Sequence, residues 1–322
     1  MSSQFGNIVE DEISLTNAIS HQIERSEVTV IVPTLNEEES IGFVLQNLQI
    51  EGFSKILIVD GNSIDNTVTN AKNFGVEIIQ QKGKGKAGAI KTAFEVIKTP
   101  YLVIIDGDST YNPSEIDRLL DKASVYNQVI GARKDRVNIK RLNRFGNNII
   151  NTVFNVFFGT DLQDVCSGMY CLKTDFAKNM PLYSDGFDIE VEIAANCSNS
   201  NSIKEVPISY NKRIGIQKLN SFRDGFKIIS AILNLGRQFN PIVFYSFLMA
   251  GLLAIPGLGI LVVSITPTIN RYSSPELGVF GSLFITTGIQ FLILAIVVSQ
   301  IKHVIRYYNL NQLEKKREPN YF

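Results

Sequence analysis

Asp106-Gly107-Asp108 follows four apolar residues, where a strand should open into a loop. Two carboxylates one residue apart can hold a hard divalent cation, Mg2+ or Mn2+, and leave positions for phosphate oxygens and water. The cation would neutralise charge growing on a departing nucleoside diphosphate. A plain turn is the alternative for this spacing. Asp60 ends an earlier apolar run, which favours the metal. Gly83-Lys-Gly85-Lys-Ala-Gly88 spells a glycine-rich loop before a helix. Two strands precede it and no Gly-Lys-Ser/Thr is present, so neither a dinucleotide fingerprint nor a P-loop fits. A basic loop at a helix start still suits anions, against a merely solvated loop. Arg213 and Lys218 lie close together and could meet a pyrophosphate, a lipid phosphate or headgroups. Asp188, Glu190 and Glu192 share a face if extended, and otherwise open a charged helix. Asp164 is an acid without an evident role.

Chemistry of this kind needs a scaffold that collects strand ends. Val28–Val32, Lys55–Asp60, Val76–Gln81, Tyr101–Asp106 and Gln128–Arg133 read as short, buried strands. Pro33 should end the first, and Asn36 should cap the helix after it. Helical stretches alternate with these runs, including one near Ala87–Ile97. The pattern predicts an α/β domain with a mostly parallel sheet, whose ligands bind at the carboxyl ends of the strands. Asp60, the Lys82–Lys86 loop, Asp106 with Asp108, and Arg133 all fall there.

The chain has 322 residues, with 31 basic and 31 acidic side chains, so its charge balance gives no sign of nucleic-acid binding. Three cysteines without C-x-x-C spacing and two histidines argue against a disulfide framework and a zinc site. Charge is sparse beyond Arg237. Residues 241–266 and 277–301 are each long enough to cross a hydrocarbon core of ~30 Å. Lys302, Arg306, Lys315, Lys316 and Arg317 follow the second run, against Arg271 and Glu276 between the two. This asymmetry predicts a multi-pass protein of a cell or endoplasmic-reticulum-type membrane, with tail and N-terminal domain on the cytosolic face. Phe222, Phe226, Ile229 and Leu233 fall at helical spacing opposite Arg223, Lys227 and Arg237, as in a helix lying in the membrane interface. Asn143–Phe158 has a similar but weaker pattern, equally compatible with core packing. Expected units are a tail at 1–26, a catalytic domain at 27–220, an interface helix at 221–240, the two spans, and a basic tail at 302–322.

Val32-Pro33-Thr-Leu-Asn36-Glu37, Asp60-Gly-Asn-Ser-Ile-Asp65 and Asp106-Gly-Asp108 resemble glycosyltransferase family 2. Gly131-Ala-Arg133, Asp164-Val-Cys-Ser167-Gly168, Glu205-Val-Pro-Ile and Arg213 with Lys218-Leu are similar to its polyprenyl-phosphate hexose branch, which includes dolichol-phosphate mannose synthases and archaeal dolichol-phosphate glucosyltransferases. The resemblance implies a GT-A fold, Rossmann-like, and inverting, metal-dependent transfer of a hexose from a GDP-mannose or UDP-glucose type of donor to dolichyl or polyprenyl phosphate. It implies that Pro33, Glu37 and Asp60 hold the nucleoside, and that Asp106, Gly107 and Asp108 flank metal and diphosphate. It also implies that Arg133, Arg213 and Lys218 meet the phosphates of donor and acceptor. Leu35 replaces a frequent tyrosine, Thr110 a frequent glutamine, and Arg213 and Lys218 stand one residue closer than in mannose synthases, which leaves the sugar open. Transfer to a glycan or protein hydroxyl in envelope polysaccharide synthesis is the alternative. A processive synthase is disfavoured, since the chain lacks the tryptophan of its Q-x-x-R-W motif. Homo-oligomerisation stays open.

Overall fold

The computed structural model describes residues 23–134, 138, 141–186, 188–215, 221–265 and 275–315. The expected N-terminal tail falls almost wholly outside them, as do Lys218, Arg271, Lys316 and Arg317. The chain forms two compact units. One comprises residues up to Asn151, Leu162–Ile228 and the chain from Tyr308 on; the other comprises Thr152–Asp161 and Ile229–Tyr307.

The first unit is built on a seven-stranded sheet in the order β3-β2-β1-β4-β6-β5-β7. Its strands are β1 (Val28–Thr34), β2 (Ile56–Asp60), β3 (Glu77–Gln80), β4 (Tyr101–Ile104), β5 (Gln128–Arg133), β6 (Tyr170–Lys173) and β7 (Ile203–Ile208). Between them run α1 (Ile41–Ile50), α2 (Thr67–Lys72), α3 (Gly85–Val96), α4 (Ile116–Ala123), α5 (Arg141–Phe158), α6 (Thr174–Asn179) and α7 (Ile189–Asn199). Val28–Val32 and Ile56–Asp60 are buried throughout, as strands covered on both faces must be. Edge strand β3, with Glu77 and Gln80 exposed, is not.

Only β6 runs against its neighbours β4 and β5. That reversal governs the site. The parallel strands deliver their exits to one edge, whereas β6 delivers its entry, so the Asp164–Gly168 loop lies on that edge and meets Arg133 of β5 and the Asp106–Tyr111 segment after β4.

Several local expectations are corrected. Strand β1 passes through Pro33, which pairs with Val59 in register. The last β4 contact is Ile105 N–H donating to Ile31 O, so the missing proline N–H lies beyond the end of β4 and removes no ladder bond. Asn36 does not cap a helix. It takes a left-handed φ of 52°, a turn of Glu37–Ser40 follows, and α1 begins only at Ile41. Asp188–Glu192 is not extended: Asp188 is the N-cap of α7. Glu190 and Glu192 therefore point to different sides, and Glu192 accepts from Tyr183 N and Ser184 N at 2.7 and 2.9 Å.

The chain continues through α8 (Ser221–Phe239), α9 (Pro241–Ile265) and α10 (Pro275–Lys315). Helices α9 and α10 are long and apolar enough to cross a membrane. Within the second unit they pack closely through small residues. A Cβ on Gly257 would lie 2.9 Å from Gly281 O, and one on Gly288 2.9 Å from Ala254 N. Pro256 sits inside α9 without ending it, as membrane-type helices tolerate. Helix α10 does not stop with its apolar run at Ile301. It carries on to Lys315, because that stretch contains no glycine or proline to break it.

Candidate active site

Asp106 and Asp108 lie just beyond β4. Ser109, at a φ of 58°, turns the chain sharply, and Asp108 Oδ1 accepts from Thr110 N and Thr110 Oγ1 at 3.1 and 2.5 Å. Gly107 lies against the end of β1. A Cβ there would be 3.2 Å from Thr34 Cγ2, and Gly107 O accepts from Ser40 Oγ at 2.7 Å.

The segment after β7 straps this turn: Asn211 N donates to Thr110 O and Ile214 N to Asp108 O. Arg213 is thereby held against Asp108. Its Nη1 is 2.9 Å from Asp108 Oδ2, and its Nη2 is 2.9 Å from Glu37 Oε1. Its Nε is buried and has no hydrogen-bond partner among the described residues. On the other side, Lys86 reaches in from the first turn of α3. Its Nζ lies 2.6 Å from Asp106 Oδ1 and 2.5 Å from Glu190 Oε1. Burial works to lower the Lys86 pKa, but Asp106 and Glu190 outweigh it and raise it well above the usual lysine range. Asp108 shifts upward, through burial and then the negative charge of Asp106, with Thr110 and Arg213 opposing. Glu190 is raised by burial, against the pull of Lys86.

Arg133, expected among the phosphate ligands, is engaged elsewhere. Its Nε and Nη2 donate to Asp164 Oδ2 and Oδ1, both at 2.6 Å, and its backbone N–H to Oδ2 at 3.0 Å. Glu205 in turn accepts from Gln163 N and Asp164 N at 2.8 Å each, which fixes the loop carrying the acid. The guanidinium stands 5.1 Å over the Tyr210 ring, and Tyr210 meets Tyr111 edge-on at 5.3 Å. Asp164 thus acquires its role as the partner of Arg133.

Asp60 and Glu37 anchor the β1–β2 corner. Ser63 N and Oγ donate to the two Asp60 oxygens at 3.0 and 2.6 Å, while Ser63 Oγ accepts from Asn36 N at 2.9 Å. Glu37 N donates to Thr67 Oγ1 at 2.7 Å. The structure therefore brings Glu37, Asp106, Gly107, Asp108 and Arg213 together and sets Pro33 and Asp60 on the same edge. From sequence, Lys86 reads only as part of a basic, anion-binding loop and Glu190 only as one of three neighbouring acids; neither is expected to contact Asp106 or the other. A lysine in the first turn of a helix opposes the macrodipole, and that mismatch was the available hint of a carboxylate partner.

No group of three His, Cys, Asp or Glu side chains is placed to hold a metal among the described residues. An all-protein cage of the zinc kind does not fit. Two hard carboxylates at a strand end do fit a cation that completes its shell with phosphate oxygens and water, the usual habit of Mg2+.

The glycosyl transferase family 2 model matches residues 29–177. Glycosyltransferase AglJ of Haloferax volcanii is 33% identical over 280 residues, covering 84% of this chain and 92% of that protein. The dolichyl-phosphate hexose transferase of the same organism is 29% identical over 215 residues, 65% of this chain and 93% of that one. In three dimensions, glucosyl-3-phosphoglycerate synthase of Mycobacterium tuberculosis, crystallised with Mn2+, UDP-glucose and phosphoglyceric acid, aligns with a TM-score of 0.56 at 17% identity, over 69% of this chain and 82% of that one. This likeness gives the fold, GT-A. The chain belongs to glycosyl transferase family 2 and is a glycosyltransferase.

Proposed function

We propose that the protein transfers a hexose from a GDP-mannose or UDP-glucose type of donor to dolichyl or polyprenyl phosphate, with inversion, on the cytosolic face of a membrane. The product would supply lipid-linked sugar for protein glycosylation. The observation that carries this reading is Arg213. Its guanidinium bridges Asp108 and Glu37, and its buried Nε–H is unsatisfied among the described residues, eight residues before α8 begins and upstream of the two apolar helices. A buried N–H without a partner favours arrival of an acceptor oxygen such as phosphate. The named activity of the Haloferax hexose transferase agrees with this.

Asp106 and Asp108 would hold Mg2+ or Mn2+, which supplies charge stabilisation to the departing diphosphate. The Mn2+ and UDP-glucose of the mycobacterial structure agree with that assignment. Pro33, Glu37 and Asp60 would seat the nucleoside along the ends of β1 and β2, while Lys86, Arg213 and Lys218 offer positive charge to phosphates. The acceptor phosphate oxygen attacks C1 of the sugar, the bond from C1 to the donor diphosphate breaks, and the nucleoside diphosphate leaves with that bonding pair. A phosphate monoester has a second pKa of about 6 and is already ionised near neutrality, so no general base has to take a proton. Positioning and electrostatic stabilisation suffice. Arg133, closed on Asp164, would act by fixing the loop around Gly168 more than by touching phosphate.

Helices α9 and α10 would anchor the enzyme, with the basic residues from Lys302 onward keeping that end cytosolic. Helix α8 would lie in the interface, close to the headgroup of a lipid acceptor. The test uses membranes containing the full-length protein, incubated with a panel of nucleotide sugars and dolichyl phosphate. A new glycolipid supports the proposal. Sugar transferred to glycan or protein hydroxyls, with the polyprenyl phosphate left unmodified, would refute it.

A further inference from the structure

The charges around the two aspartates alternate in a fixed order. Glu190 contacts Lys86, Lys86 contacts Asp106, Asp108 contacts Arg213, and Arg213 contacts Glu37. Each cation is shared between one aspartate of the Asp-Gly-Asp turn and one glutamate outside it. The string is secluded at both ends and open in the middle: side-chain exposure is 11% for Lys86, 6% for Glu190, 7% for Asp108 and 9% for Glu37, against 28% for Asp106 and 27% for Arg213. Four carboxylates against two cations leave this string a net charge of −2, the complement of one divalent ion.

We propose that Lys86 and Arg213 are resident counterions with which a divalent cation exchanges at Asp106 and Asp108, and that Glu190 and Glu37 retain the two displaced side chains inside the site. The inference rests on the metal reading given above and goes beyond it by assigning Lys86, Glu190 and Glu37 a role in metal entry. Two like-charged aspartates so close together require positive charge when no metal is bound, and the chain supplies it from α3 and from the strap after β7. Displacing a buried ammonium into an apolar wall would leave it desolvated and unpaired, which is strongly unfavourable. Glu190 removes that penalty, because Lys86 already touches it at 2.5 Å and need only release Asp106. The four-carbon stem of lysine allows such a pivot. Glu37 does the same for Arg213, whose Nη2 contact survives if Nη1 lets go of Asp108. Both cations then remain beside the place where phosphates bind, rather than being lost to solvent.

Exchange makes a prediction that simple positioning does not. In the double variant K86M/E190Q the net charge of the string stays at −2 while the competing ammonium is gone. Mn2+ binding to the full-length protein in detergent is measured by electron paramagnetic resonance of free Mn2+, with and without UDP. The double variant should bind Mn2+ about five- to tenfold more tightly than the native protein, a change of about 1 kcal/mol or slightly more. E190Q alone should bind it several-fold more weakly, since Lys86 then rests on Asp106 only. If methionine is not accommodated, as judged by circular dichroism melting, K86Q/E190Q reads the same exchange with side chains that still hydrogen-bond. Equal or weaker Mn2+ binding in the double variants would overturn the exchange and leave Lys86 as a positioning residue for Asp106. Native protein that binds no Mn2+ under either condition would overturn the metal reading itself.

Discussion

A Cβ placed on Gly168 would sit 2.0 Å from Asp106 Oδ2, so the glycine of the β6 entry loop and the first aspartate of the Asp-Gly-Asp turn fit only because one of them has no side chain. The loop cannot back away, since Gly168 N donates to the buried Tyr111 hydroxyl at 2.7 Å. Asp106 is caught between Gly168 and Lys86. Gly168→Ala should therefore rotate the carboxylate off Lys86 and lower kcat/KM about 100-fold, the scale expected for a misplacement of about 1 Å. Thermal stability should change little, because Asp106 can turn toward the open side. Steady-state kinetics beside a melting curve read both, and native kinetics in G168A would show that the orientation of Asp106 is immaterial.

Arg133 and Asp164 form a buried, two-pronged ion pair that ties β5 to the same loop. Arg133→Met leaves an uncompensated buried carboxylate and should destabilise the first unit by about 3–5 kcal/mol. Replacing both, as R133M/D164L, should recover most of that loss, because hydrophobic pairs often substitute for buried ion pairs. Circular dichroism melting of the two variants tests this. Equal destabilisation in the single and double variants would mean that the loop depends on something other than charge pairing.

Cys166 is half-buried in that loop, and its thiol pKa is pushed up to about 12, by desolvation first and then by the carboxylates of Glu190 and Asp164. Since the thiolate is the reactive form, alkylation at pH 8 should be slower than for a free thiol by about three orders of magnitude. Mass spectrometry after iodoacetamide should find Cys166 unmodified in the native protein and modified after denaturation. Rapid native labelling would contradict this arrangement of the loop.

Asp108→Asn removes a carboxylate whose two oxygens serve Thr110 and Arg213. It should abolish transfer, a loss of about 100-fold or more, with a melting temperature near the native one. Chelation by EDTA should do the same to the native enzyme, and added Mn2+ should restore it. Full turnover in EDTA would exclude the divalent cation.

Much of this was legible from residue order alone. Buried β-branched runs gave the first five strands, and alternation with helices gave the sheet and the edge on which Asp60, Asp106 and Arg133 stand. Strands β6 and β7 escaped because Lys204, Glu205 and Pro207 interrupt the apolar residues of Ile203–Ile208, and because Tyr170–Lys173 runs straight into α6 with no turn residue to mark it off. The reversal of β6 was therefore invisible, and with it the meeting of Asp164 with Arg133 and of Gly168 with Asp106. Lys86 and Glu190 are 104 positions apart in the chain, and no local pattern can foretell that they share a contact. Arg213 was legible as a cation near the site, but its hold on Glu37 and Asp108 depends on the strap formed by backbone bonds to the Asp-Gly-Asp turn.

The bond formed in the product tests the central claim most directly. The glycolipid made by the full-length protein from dolichyl phosphate and its preferred nucleotide sugar should show, by 31P and 1H nuclear magnetic resonance, a phosphodiester joining C1 of the hexose to the lipid phosphate. Its anomeric configuration should be opposite to that of the donor. A product with the sugar linked to a hydroxyl, or one that keeps the donor's configuration, would contradict the account.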